Sequence, residues 1–112
     1  MREDGKLDYI ELPGGDLAAS KAFYGAAFGW RFQDYGPGYA AFDEGIDGGL
    51  DAQPEAVRQP LPILYAGDLE AMQARVEGAG GVVTKPIFAF PGGRRFHFRD
   101  PAGNELAVWS ET

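Results

Sequence analysis

Sliding the chain along itself by 52 positions brings YIELPGGDLAASKAFYGAAFGW (9–30) onto LPILYAGDLEAMQARVEGAGGV (61–82). Eight of these 22 pairs are identical: Leu12/Leu64, Gly15/Gly67, Asp16/Asp68, Leu17/Leu69, Ala19/Ala71, Ala22/Ala74, Ala27/Ala79 and Gly29/Gly81. A period of this kind means that one supersecondary unit occurs twice, and that neither copy buries its apolar face alone. Each copy opens with a short extended run, 7–12 and 61–66. Asp16 and Asp68 then stand just before an apolar pattern, where a carboxylate can accept from the free N–H groups of a helix start. Leu17, Ser20, Tyr24 and Ala27 recur at helical spacing, as do Leu69, Met72, Val76 and Ala79. Gly29 and Gly78–Gly81 supply the stops. Three β-prone runs follow each helix, 30–35, 39–43 and 48–52, then 82–88, 94–99 and 105–110. Each copy therefore reads β-α-β-β-β. The chain is expected to be an α+β single domain over 1–112, with module one at 7–53, a linker at 54–60 and module two at 61–110.

Strand alternation assigns faces. Ile10 and Leu12 suit the helix side of the first strand, which leaves Tyr9 and Glu11 on the opposite face. By the repeat, Leu61, Ile63 and Tyr65 share that opposite face. In 94–99, Phe96 and Phe98 suit the core and put Arg95, His97 and Arg99 on the other side. In 105–110, Leu106 and Val108 face the helix and Glu105, Ala107 and Trp109 face away. If those faces line one groove, it is a mixed aromatic and charged pocket, and a slip of one residue in a strand would invert its assignment.

Composition removes whole classes of function. With no Cys, disulfide scaffolds, thiol nucleophiles and Cys-ligated metal sites are excluded. His97 is the sole His, so no site can draw two or three His from one chain. The net charge of −7 argues against nucleic acid and anionic lipid as partners. MREDGKLDY lacks the apolar stretch of a signal peptide and no segment approaches the length of a membrane span, so a cytoplasmic protein is expected.

The tandem modules, Asp16-Leu17 followed by Phe23-Tyr24, Phe28-Gly29-Trp30, and GGRRFHFRDPAGNELAVW at 92–109 resemble the vicinal oxygen chelate superfamily. That superfamily includes glyoxalase I, bleomycin-resistance proteins and extradiol dioxygenases, and the resemblance covers about residues 7–110. It implies a partly closed, cup-shaped mixed sheet with helices outside, the glyoxalase-like fold, and a homodimer. It also implies four His or Glu ligands around one divalent ion. Those positions fall here on Tyr9, Leu61 and Ala107, with Glu105 two residues before the last; Asp51 is the candidate for the fourth. Leu and Ala coordinate nothing and a phenol is a poor ligand, so no metal or other cofactor is expected.

Two readings of different classes follow. The first is a metal-free protein that holds a small organic molecule, planar or anionic, with Tyr9, Asp51, Ile63, Tyr65, Arg95, Arg99, Glu105 and Trp109 lining the groove. The second is a metal-independent lyase or isomerase, in which Glu11 abstracts a proton alpha to a carbonyl and His97 or Arg95 steadies the enolate. A metal enzyme built on Glu11, Asp51 or Glu105 with His97 is a lesser alternative. Each residue also has a plain use: Glu11 as a solvated or Arg-paired side chain, His97 as a hydrogen-bonded structural residue, and the arginines as cross-strand partners of Glu105 or Glu11. The sequence names no ligand.

Overall fold

A computed structural model describes residues 2–53 and 58–112. The described residues form eight strands and two helices: β1 (Leu7–Pro13), α1 (Leu17–Phe28), β2 (Gln33–Asp34), β3 (Tyr39–Asp43), β4 (Asp47–Asp51), β5 (Leu61–Tyr65), α2 (Leu69–Gly78), β6 (Val82–Phe90), β7 (Gly93–Arg99) and β8 (Glu105–Ser110). Chain contacts divide these into a Tyr9–Leu61 unit and a unit made of the residues up to Asp8 with Pro62–Thr112. Positions 54–57 of the expected linker lie outside the described residues.

Both units carry the same strand plan. In the first, β1 runs parallel to β4, β4 antiparallel to β3 and β3 antiparallel to β2. In the second, β5 runs parallel to β8, β8 antiparallel to β7 and β7 antiparallel to β6. The repeat read from the sequence is thus a repeat of topology. Both helices start as expected: the Asp16 and Asp68 carboxylates accept from the N–H groups of Ala19 and Ala71. The first ends on Gly29 at φ 73°, the left-handed conformation that glycine enters without a Cβ penalty.

The helix-side faces also follow the alternation. Phe96 and Val108 are buried with Ala66 and Leu69, and Leu64, Met72, Val76, Ile87 and Phe98 pack against them. In the Tyr9–Leu61 unit, Ala40, Phe42 and Leu50 are buried. Trp30 stacks on Tyr24 at 4.6 Å between ring centres and lies 4.8 Å from Phe42, with Phe32 at 6.0 Å from Phe42. This aromatic packing corrects the expected strand at 30–35. The side chains of Trp30 and Phe32 are drawn into the cluster, and only Gln33 and Asp34 pair with β3.

Candidate functional site

The sheet face turned away from each helix carries the polar and aromatic residues that the alternation picked out. In the Pro62–Thr112 unit, strand register puts Arg95 opposite Trp109, His97 opposite Ala107 and Arg99 opposite Glu105, with Ile63 beside Ala107 and Tyr65 beside Trp109. β6 supplies Lys85 opposite His97 and Phe88 opposite Arg95, across two register shifts that re-aim its side chains. The Arg95 guanidinium carbon lies 5.5 Å from the centre of the Phe88 ring and 5.6 Å from that of Phe90. Trp109 stands 5.6 Å from Tyr65 and 6.4 Å from Phe90. A cation framed by ring faces is thus built into an open β-sheet surface.

His97 is 2% exposed. Its Nδ1 is 3.2 Å from Glu105 Oε2, which also accepts from the Thr84 hydroxyl, and its ring lies 5.7 Å from Phe88. Burial first, then the nearby Arg95 charge, lower its pKa to about 4, against the opposing pull of Glu105. The imidazole is therefore neutral at pH 7. With Nδ1–H donating to the carboxylate, Nε2 is left as an acceptor, and it has no hydrogen-bond partner among the described residues. Arg99 ends its strand exposed to solvent.

In the Tyr9–Leu61 unit, Tyr9 and Glu11 share a face with Tyr39, Asp43, Asp47, Gly49 and Asp51, as the β1–β4 and β3–β4 registers require. Glu11 is 6% exposed. Tyr39 reaches along this face to hydrogen-bond the Tyr9 hydroxyl. Its ring crosses the spot where a side chain on residue 49 would stand: a Cβ there would lie 2.7 Å from Tyr39 Cε1, with the phenol carbon and oxygen nearer still. Gly49 is therefore the residue that lets the two phenols meet. Burial, the bond to Tyr9 and the charges of Glu11 and Asp51 push the Tyr39 phenol far above the ordinary tyrosine range, so it stays protonated. Beside Tyr9 the unit holds a concavity of about 490 Å³ with Phe32, Phe42, Arg31, Asp43, Glu44 and Asp47 in its wall. Three carboxylates against one guanidinium make this wall unsuited to an anion.

The paired registers also bear on the fourth expected ligand position, Asp51. Glu11 opposite Gly49 corresponds to Ile63 opposite Ala107, so the counterpart of Ala107 is Gly49, and Asp51 corresponds to Trp109. Tyr9, Gly49, Leu61 and Ala107 offer one phenol and no other donor. Among the described residues no three His, Asp or Glu side chains converge on one point. The donor set does not fit the divalent ion that the resemblance implies.

Sequence reasoning missed Tyr39, whose partner Tyr9 is 30 residues away; the glycine pair in a strand, Gly48-Gly49, was the available signal. It also missed Asp8, whose Oδ2 accepts from Trp109 Nε1 at 2.8 Å and from Arg2 Nε at 3.1 Å.

Residues 6–108 match the sequence model of the Glyoxalase/Bleomycin resistance protein/Dioxygenase superfamily. The chain is 32% identical over 130 residues to the anthracycline biosynthesis protein DnrV of Streptomyces peucetius, covering 94% of this chain and 46% of that one. It therefore spans about half the length of the curated relatives that it matches. Its fold is similar to the Mn(II)-bound glyoxalase from Novosphingobium aromaticivorans, with TM-score 0.67 and 26% identity over 99% of this chain and 40% of that one. It is also similar to a glyoxalase/bleomycin resistance protein/dioxygenase superfamily member from Vibrio splendidus, with TM-score 0.68, 16% identity and coverage of 94% and 98%.

Proposed function

The chain belongs to the Glyoxalase/Bleomycin resistance protein/Dioxygenase superfamily, and from that premise we propose that it binds a small organic anion without a metal, on the open sheet face that carries Arg95. The observation that supports this reading is the Arg95 guanidinium set 5.5–5.6 Å from the Phe88 and Phe90 ring centres. A guanidinium is weakly hydrated and presents a planar fork of donors, so beside two rings it suits a carboxylate carried on an apolar body. Lys85 and Arg99 add positive charge along the same strands. The chain's net charge of −7 makes this local excess of cations a feature of the face rather than of composition. In this reading the protein acts as a homodimer in the cytoplasm.

The test is a thermal-shift and calorimetric panel of organic acids, each matched with its uncharged alcohol, with and without EDTA. Acids raise the midpoint, alcohols do not, EDTA changes nothing, and Arg95→Ala removes the response. A rise that needs a divalent ion, or one that survives Arg95→Ala, overturns the proposal.

A second reading, metal-independent isomerisation with Glu11 as base, is favoured by one observation. Glu11 is a buried carboxylate set opposite Gly49, the residue over which the protonated Tyr39 phenol lies. There the proton alpha to a carbonyl passes to Glu11 while a phenol of the same unit donates to the enolate oxygen. Glu11→Gln abolishes alpha-proton exchange in deuterated water in that reading and leaves anion affinity unchanged in the first.

A further inference from the structure

The segment before β1 holds two side chains that the anion site does not yet use. Asp8, with 19% of its side chain exposed, accepts the indole N–H of Trp109 at 2.8 Å, and the same oxygen accepts from Arg2 Nε at 3.1 Å. The Arg2 guanidinium carbon stands 5.0 Å from the centre of the Trp109 ring. The segment is itself tied to β5: Gly5 donates to the Tyr65 carbonyl, Tyr65 donates to the Lys6 carbonyl, and Gly67 donates to the Asp4 carboxylate. Trp109 is opposite Arg95 in the β7–β8 register and 6.4 Å from Phe90. Arg2 thus stands over the indole, while Arg95, over Phe88 and Phe90, is its neighbour across the strand pair. An indole has a single polar group, so fixing Nε1–H fixes the plane of the ring. Arg2 presents five N–H donors, of which the bond to Asp8 uses one.

We infer that residues 2–8 form one wall of the anion site, with Asp8 positioning the Trp109 ring and Arg2 supplying a second cation, so that the ligand is a flat aromatic acid. The inference rests on the proposed function, whose anchor is Arg95. It adds a requirement for a ring, which Arg95 alone does not impose, because aliphatic and aromatic acids meet a guanidinium equally well. An aromatic acid gains in addition from stacking beside Trp109, Phe90 and Tyr65.

The experiment uses the full chain with Trp30→Phe, which leaves Trp109 as the sole tryptophan and so a local fluorescence reporter. The probe is 4-nitrobenzoate, whose nitroaryl group quenches indole emission; cyclohexanecarboxylate is the acid without an aromatic ring. Affinities are read by calorimetry, and folding of each variant by far-UV circular dichroism. Asp8→Ala weakens 4-nitrobenzoate by about five- to thirtyfold and leaves cyclohexanecarboxylate unchanged. Asp8→Asn, whose carbonyl still accepts the indole N–H, restores most of the loss, which a merely misfolded Asp8→Ala protein would not explain. Arg2→Ala weakens 4-nitrobenzoate by about two- to fivefold and flattens its salt dependence. If Arg95→Ala weakens both acids while Asp8→Ala and Arg2→Ala leave 4-nitrobenzoate unchanged, the N-terminal wall is refuted and the anion site stands. If Arg95→Ala changes neither acid, or neither acid binds, the proposed function and this inference both fall.

Discussion

Acidifying the protein from pH 7 to pH 5 tests the account of His97 quantitatively. In the folded chain His97 is buried against Phe88, with Arg95 and Lys85 nearby and Glu105 on Nδ1, and its pKa is lowered to about 4. In the unfolded chain it returns to about 6.5. The unfolded state therefore binds more protons throughout the window between these values. The stability that the neutral imidazole contributes is complete above pH 6.5 and is lost as pH falls toward 4. The loss integrates to about 2 kcal/mol at pH 5 and about 3 kcal/mol at pH 4, a large share of the 5–15 kcal/mol that holds a typical domain folded. Urea unfolding followed by circular dichroism at half-unit steps of pH measures it, with His97→Gln as the control. Because His97 is the only histidine, the slope between pH 6.5 and 5 belongs to it, while the lowered carboxyls of Asp100 and Glu70 act only below their own ordinary range. A flat profile between pH 7 and 5, or an equal slope in His97→Gln, refutes the reasoning.

Three further predictions concern the other parts of the face and its scaffold. Gly49→Ala drives a Cβ into the Tyr39 ring and destabilises by about 1–3 kcal/mol in chemical denaturation, and Tyr39→Ala in the same chain recovers part of that loss; additive effects would show that the two residues do not compete for the same space. Asp16→Ala removes the α1 cap and costs about 1 kcal/mol, whereas Asp16→Ser keeps an acceptor and most of the stability; a loss of equal size in both variants would mean that the Ala19 N–H bond is not its source. Addition of Mn(II), Ni(II) or Zn(II) leaves the thermal midpoint in place, because Tyr9, Gly49, Leu61 and Ala107 cannot bind such an ion tightly; an EDTA-reversible rise would contradict this.

Much of this molecule was legible because its signals are local. Asp16 and Asp68 stand directly before apolar periodic segments, and Phe96 and Phe98 alternate with Arg95, His97 and Arg99, so caps and faces follow from spacing alone. The short β2 was not legible, since Trp30 and Phe32 read as strand residues until Tyr24 and Phe42 are seen to draw them into an aromatic cluster. The expectation of Asp51 at the fourth ligand position came from a run of glycines that carries no face pattern, whereas strand pairing makes Gly49, opposite Glu11, the topological counterpart of Ala107. Two contacts, Tyr39 with Tyr9 in one unit and Asp8 with Trp109 in the other, join residues 30 and 101 positions apart. No local period encodes such pairs. The low pKa of His97 is only partly local, since it depends first on burial, then on Arg95 of the same strand, with Lys85 of β6 adding to the lowering and Glu105 of β8 opposing it.

The most direct measurement of the central claim is a titration of the isotopically labelled protein with 4-nitrobenzoate, followed by amide and side-chain NMR shifts in the presence of EDTA. The account predicts saturable shifts centred on Arg95, Phe88, Phe90 and the indole N–H of Trp109, absent with 4-nitrobenzyl alcohol and lost in Arg95→Ala. Shifts centred instead on Arg31, Asp43 and Asp47, or none until a divalent ion is added, would contradict it.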